Sequence, residues 1–211
     1  MTEPPTLWQR IARSTVGDDY AATYADRFRK MAARGEDIHG EVTFVTRLVG
    51  PPARVLDAGC GTGRIAVRLH ELGYDVVGVD VDQAMLDVAR ADNPAVDWRL
   101  ADLATFDLAD RFDVVLLAGN IVPLLEPGTL AEVCGRLAAH TTDSGIVVCG
   151  FGLDPAHLPG DCPVTPLADL EAAMAAAGLV ETGRFGTWDS GPFVDDGGYV
   201  VTVHTRSGER Q

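Results

Sequence analysis

Apolar positions along the chain follow two alternating spacings. Short apolar runs bounded by Gly, Pro or Asp recur at Ala53–Asp57, Tyr74–Asp80, Phe112–Ala118 and Gly145–Gly150, with a shorter alternating stretch at Val96–Leu100. Runs of this length with no polar break, such as Val114 to Ala118, predict strands buried on both faces, as in a parallel sheet. Between them apolar residues return every three or four positions: Val42, Val45 and Val49 within residues 38–49, Ile65, Leu69 and Leu72 after Arg64, and further helices over 83–91, 128–139 and 167–177. Breakers fall where the pattern needs them, at Gly50-Pro51-Pro52, Gly73, Asn93-Pro94 and Gly178. Strands alternating with helices imply an α/β fold. The last two predicted strands, 179–185 and 199–205, are joined by a Gly/Asp-rich link too short for a crossover helix, so they pair antiparallel.

Upstream of this alternation, residues 6–33 read as helical in two segments. Leu7, Trp8, Ile11 and Ala12 share one face of the first; Tyr20, Tyr24 and Phe28 form an aromatic stripe along the second.

The densest stretch of special chemistry is Ala53-Arg-Val-Leu-Asp-Ala-Gly-Cys-Gly-Thr-Gly-Arg64. A strand runs into Gly59, Gly61 and Gly63, which permit positive φ and close approach of a ligand, and a helix opens at Arg64. Counted from Gly61, Gly-Thr-Gly-Arg-Ile-Ala fits the relaxed fingerprint of an NAD-binding turn, so a dinucleotide oxidoreductase stands as the alternative. Asp57 at the strand tip counts against it, because a carboxylate there repels a pyrophosphate and attracts a cation. Asp80 closes the second strand 21 residues after Gly59, the separation at which an acid reaches a ribose diol in such folds. Ligands in open α/β sheets gather at the carboxyl ends of strands, which brings Ala118, Gly119 and Asn120 to the reacting centre.

The segment Val55-Leu-Asp-Ala-Gly-Cys-Gly-Thr-Gly63 resembles the first motif of the class I S-adenosylmethionine-dependent methyltransferases. The resemblance implies a Rossmann-like, seven-stranded, mostly parallel sheet with helices on both faces, completed by the antiparallel C-terminal hairpin. It implies S-adenosyl-L-methionine as cofactor: Asp57 orients its ammonium, the Gly59-Cys60-Gly61 to Gly63 backbone passes under the methionine part, Asp80 and Val81 meet the ribose, Met85 packs on the adenine, and Asp102 with Leu103 reads the adenine edge. Residues 1–37 correspond to a helical lid, with Tyr20 and Tyr24 closing the pocket, and 38–211 to the cofactor-binding domain. The function implied is methyl transfer to oxygen or nitrogen of a small-molecule acceptor, with a non-catalytic S-adenosylmethionine-binding module as the alternative beside the oxidoreductase. Members that methylate bases or amides carry an Asp/Asn-Pro-Pro-aromatic signature where this chain has Gly119-Asn120-Ile121-Val122-Pro123.

Charge and composition narrow the partners. With 31 acids against 17 bases and a formal charge of −14, the surface does not suit a nucleic-acid backbone or an anionic membrane. Cys60, Cys134, Cys149 and Cys162 show no C-x-x-C pairing, and the five histidines form no ligand cluster, so no metal is expected. Neither a leader nor a long apolar span is evident from Met1 onward, which predicts a cytoplasmic protein. Outside the cofactor motifs the irregular stretch 151–165 holds Asp154 and His157; His157 is the candidate general base for an acceptor hydroxyl.

Overall fold

The computed structural model describes residues 4–208; the reading of Met1 to Glu3 as free of a targeting signal lies outside them. Two N-terminal helices, α1 (Leu7–Val16) and α2 (Tyr20–Ala33), precede α3 (Gly40–Leu48), β1 (Arg54–Ala58), α4 (Arg64–Glu71), β2 (Asp75–Asp80), α5 (Gln83–Asp92) and β3 (Asp97–Leu100). The second half runs β4 (Phe112–Leu117), α6 (Ile121–Leu124), α7 (Leu130–His140), β5 (Thr141–Gly152), α8 (Leu167–Ala176), β6 (Leu179–Phe185) and β7 (Tyr199–Arg206).

The seven strands lie in the order β3-β2-β1-β4-β5-β7-β6, parallel from β3 through β5, with β7 antiparallel to both its neighbours. Successive residues of each strand face opposite layers, as the apolar runs require. Val55, Val76 and Val114 pack under α3, α4 and α5; Leu56, Val77 and Val115 pack against α7 and α8. Chain order reverses between β1 and β4, and that crevice at the strand carboxyl ends is the place for a ligand in such a sheet.

Differences from the expected elements have local causes. Leu72 is 38% exposed because α4 ends one residue earlier, with Gly73 taking φ +92°. Strand β5 extends on both sides of the apolar run, since the Gly150 to Gly152 segment keeps pairing with β7. Pro123 sits inside the single-turn helix α6, where short length and an interior proline hide the helical period. Trp188 and Phe193 in the final link cover packing surfaces: Trp188 stacks edge-on to Phe44 and occupies the space above Gly150. Among the described residues no helix is long and apolar enough to cross a membrane.

Candidate functional site

A cavity of about 330 Å³ opens at the β1/β4 switch point, between the strand tips and the two N-terminal helices. Its floor is the turn after β1. Gly59 (φ +84°) and Gly61 (φ +55°) hold left-handed backbone that favours glycine, and a Cβ on Gly59 would also lie 2.5 Å from the Ile121 side chain. Asp80 holds this turn closed, accepting from the Gly61 amide (2.7 Å) and the Asp82 amide (2.9 Å). Burial raises the Asp80 carboxyl to about 6, partly offset by those amides.

Asp57 is the most perturbed acid. It is 2% exposed, its Oδ2 has no hydrogen-bond partner, and burial pushes it up to about 7 against the pull of the Arg64 guanidinium. An orphaned buried carboxylate oxygen on a cavity wall is unfavourable alone and becomes favourable once a cation donates to it. Asp102 is exposed after β3; one carboxylate oxygen accepts from the Ala104 amide (2.8 Å) while the side chain faces the same cavity.

Of the residues expected from sequence, Asp57, Gly59, Cys60, Gly61, Asp80, Val81, Met85, Asp102, Leu103, Ala118, Gly119, Asn120 and Tyr24 line this cavity. Three do not. Gly63 forms the N-terminus of α4 at φ +81°, and a Cβ there would lie 2.4 Å from Trp98, so this glycine admits the tryptophan and not a ligand. Tyr20 is buried one layer behind the wall, its hydroxyl donating to Asp82 Oδ2 (2.6 Å). His157 stands on a 3-10 turn, its Nδ1 2.8 Å from Asp154 Oδ1; only its backbone carbonyl approaches the site, accepting from Asn120 Nδ2 (3.1 Å). The polar, proline-bounded loop that suggested His157 uses Asp154 to cap the turn and to hold the ring.

Several wall residues escaped the sequence reading. Trp8, Arg27 and Phe28 come from the N-terminal helices, and Arg64 with Glu41 forms a two-pronged ion pair (2.9 and 2.6 Å), both side chains about 86% buried. The Arg64 guanidinium also lies 4.5 Å from the Phe28 ring centroid. A charge pair between residues 23 apart on two helices leaves no mark on periodicity. The helical pair is fastened to the sheet at two rims: the Trp8 indole donates to Asp82 (3.1 Å) beside Tyr20, and across the cavity the Leu7 amide and Arg10 both donate to Glu126.

Three acids thus meet at neighbouring strand tips over a glycine turn, an arrangement that attracts a cationic group and repels a phosphate. A methyltransferase domain model matches residues 55–145. A solved TehB-like S-adenosylmethionine-dependent methyltransferase from Corynebacterium glutamicum is 31% identical, with a TM-score of 0.81 over 89% of this chain and 98% of that one. A Streptomyces fradiae dTDP-3-amino-3,6-dideoxy-alpha-D-glucopyranose N,N-dimethyltransferase is 30% identical over 171 residues, 78% of this chain and 62% of that relative. A ubiquinone biosynthesis O-methyltransferase from Bradyrhizobium diazoefficiens is 34% identical over 99 residues, 45% of this chain and 38% of that relative. The chain thus spans about half the length of the curated relatives it matches. It belongs to the S-adenosylmethionine-dependent methyltransferases.

Proposed function

We propose that the protein transfers a methyl group from S-adenosyl-L-methionine to a nitrogen or oxygen of a small molecule. The observation that carries this reading is the Asp57 Oδ2 oxygen, buried without a hydrogen-bond partner on the wall of a cavity that Asp80 and Asp102 also line from the neighbouring strand tips. A group carrying an ammonium and a sulfonium fits such a wall, whereas a diphosphate is repelled by it.

When bound, the cofactor supplies a methyl made electrophilic by its sulfonium. Asp57 would hold the ammonium, the Gly59 to Gly61 backbone would support the methionine portion, and Asp80 would accept from the ribose hydroxyls with the lone pairs its two amide bonds leave free. Asp102, Leu103 and Met85, which line the same cavity, would hold the adenine. Residues 1–37 act as the lid, with Trp8, Tyr24 and Phe28 excluding water. The chain's contribution to the chemical step is positioning. Among the described residues no histidine or lysine lines the cavity, and the carboxylate of Glu126 on its wall is engaged by the Leu7 amide and Arg10; the acceptor we infer is an amine nitrogen in its neutral form, which attacks without prior deprotonation. The four buried cysteines, their thiols unpaired, accord with a reducing cytoplasm.

Calorimetric titration of the wild-type protein with S-adenosylhomocysteine is expected to show one site of micromolar affinity. A panel of small amines, catechols and nucleotide-linked amino sugars with radiolabelled S-adenosylmethionine then reports transfer. Absence of any binding by the folded protein would overturn the proposal.

A further inference from the structure

Asn120, at the exit of β4, has an arrangement that helix capping does not explain. It takes φ +69°, in the left-handed region, directly after Gly119 at φ +73°. It stands at the N-cap of α6, where an asparagine side chain ordinarily accepts from the first-turn amides, yet it makes no such bond. Instead both ends of its amide reach across to the next strand's exit. The Gly152 amide donates to Asn120 Oδ1 (2.7 Å), and Asn120 Nδ2 donates to the His157 carbonyl (3.1 Å). Asparagine tolerates the left-handed region better than other residues with side chains, and it offers a donor and an acceptor on one short stem.

The consequence lies in what these partners carry. Gly152 ends β5, and His157 leads into Leu158 and Pro159. Leu158 and Cys162 pack against Ile11 of α1, and Pro159 lines the same cavity as Ile121, the residue that follows Asn120. The β4 exit, the loop after β5 and α1 therefore meet around one side chain whose two polar atoms each bond a backbone group across the gap.

On the methyl-transfer reading above, we propose that Asn120 is a positioning residue for the acceptor: it sets the separation between Ile121 and the Pro159 loop and makes no side-chain bond to the cofactor. The geometry assigns it the half of the cavity away from Asp80 and Asp102.

Two variants separate the possibilities. Asn120→Gly keeps the backbone free to take positive φ and deletes both bridging bonds; Asn120→Asp keeps an acceptor for the Gly152 amide but sets a carboxylate oxygen against the His157 carbonyl. Hydrogen exchange should show the Gly152 amide opening about tenfold faster in Asn120→Gly than in wild type, with Val147 and Val148 unchanged. In Asn120→Asp the Gly152 amide should stay protected while the amides of Ala156, His157 and Leu158 exchange faster. S-adenosylhomocysteine affinity, by calorimetry, should hold within about threefold in both. With an acceptor from the panel above, kcat per cofactor-binding site should fall at least about tenfold while the KM for S-adenosylmethionine stays constant, a split that mere loss of folded protein does not produce. A tenfold loss of S-adenosylhomocysteine affinity with unchanged exchange at Gly152 would overturn the proposal and make Asn120 a cofactor contact. If no acceptor is methylated even by wild type, the functional reading fails, and the exchange and affinity results still decide what Asn120 does.

Discussion

Replacing Asp57 by asparagine removes a buried carboxylate whose Oδ2 has no hydrogen-bond partner, so its effect can be worked out in both sign and size. In the folded protein the carboxyl titrates at about 7, against 3.8 for the free side chain, because burial disfavours the ion. Between those two values the folded chain holds a proton that the unfolded chain has released. Stability contributed by this residue therefore falls as pH rises through that window and levels off above about 7. The full gap corresponds to roughly 4 kcal/mol, and the part traversed from about pH 5 upward to roughly 2–3 kcal/mol. Asparagine has no such dependence.

Paired denaturation of wild type and Asp57→Asn, without cofactor, is the assay. The variant should gain on wild type by roughly 2–3 kcal/mol on moving from about pH 5 to about pH 8, equivalent to about 5–10 °C in Tm for a chain of this size. With S-adenosylhomocysteine at about a hundred times its Kd, wild type should recover about 2.7 kcal/mol and the variant much less, since its neutral amide cannot pair with the ammonium. A variant more stable empty and less stabilised by ligand is the signature of a group kept for binding at a cost to folding. A stability difference that does not change with pH, or equal stabilisation of both proteins by ligand, would refute the reasoning.

Other substitutions test the surroundings. Gly63→Ala should cost roughly 2–4 kcal/mol in urea denaturation, since the new methyl meets Trp98 at 2.4 Å and the residue must keep φ +81°. Arg64→Met leaves Glu41 buried without a partner and should destabilise by roughly 3–5 kcal/mol, and adding Glu41→Gln should recover a large part of that loss in the same assay. Tyr20→Phe removes one of the two bonds to Asp82 Oδ2 and should speed hydrogen exchange across α2, with a loss of about 1 kcal/mol and an unchanged number of cofactor sites by calorimetry.

The sheet and the cofactor half of the cavity were legible because their determinants are local. Val55-Leu56 and Val114 to Leu117 face alternate layers of one sheet, and a strand so covered needs an unbroken apolar run. The glycine turn needs Gly59 and Gly61 within three residues, and Asp80 closes that turn from the adjoining strand tip, so each leaves its mark within a short window. Gly63 shows the limit of such motifs. Three glycines in alternation look alike in sequence, but the space above the third is filled by Trp98, which arrives from β3 through the sheet order.

The half of the cavity away from Asp80 and Asp102 obeys a different rule. Its walls are Ile121, Leu124, Glu126 and Pro159, drawn from the segment after β4 and from the loop after β5, and they are joined to each other and to α1 by side chain–backbone bonds such as Asn120 to Gly152 and the Leu7 amide to Glu126. The Leu7–Glu126 bond spans 119 residues, and no periodicity encodes a contact of that range. Asparagine after glycine reads equally as a turn, a cap or a ligand, and only the direction its amide takes in three dimensions separates those roles. The same physics explains why members of one cofactor-binding fold can differ in acceptor: the strand tips and glycine turn must stay, whereas the loops that close the far wall can change without disturbing the sheet.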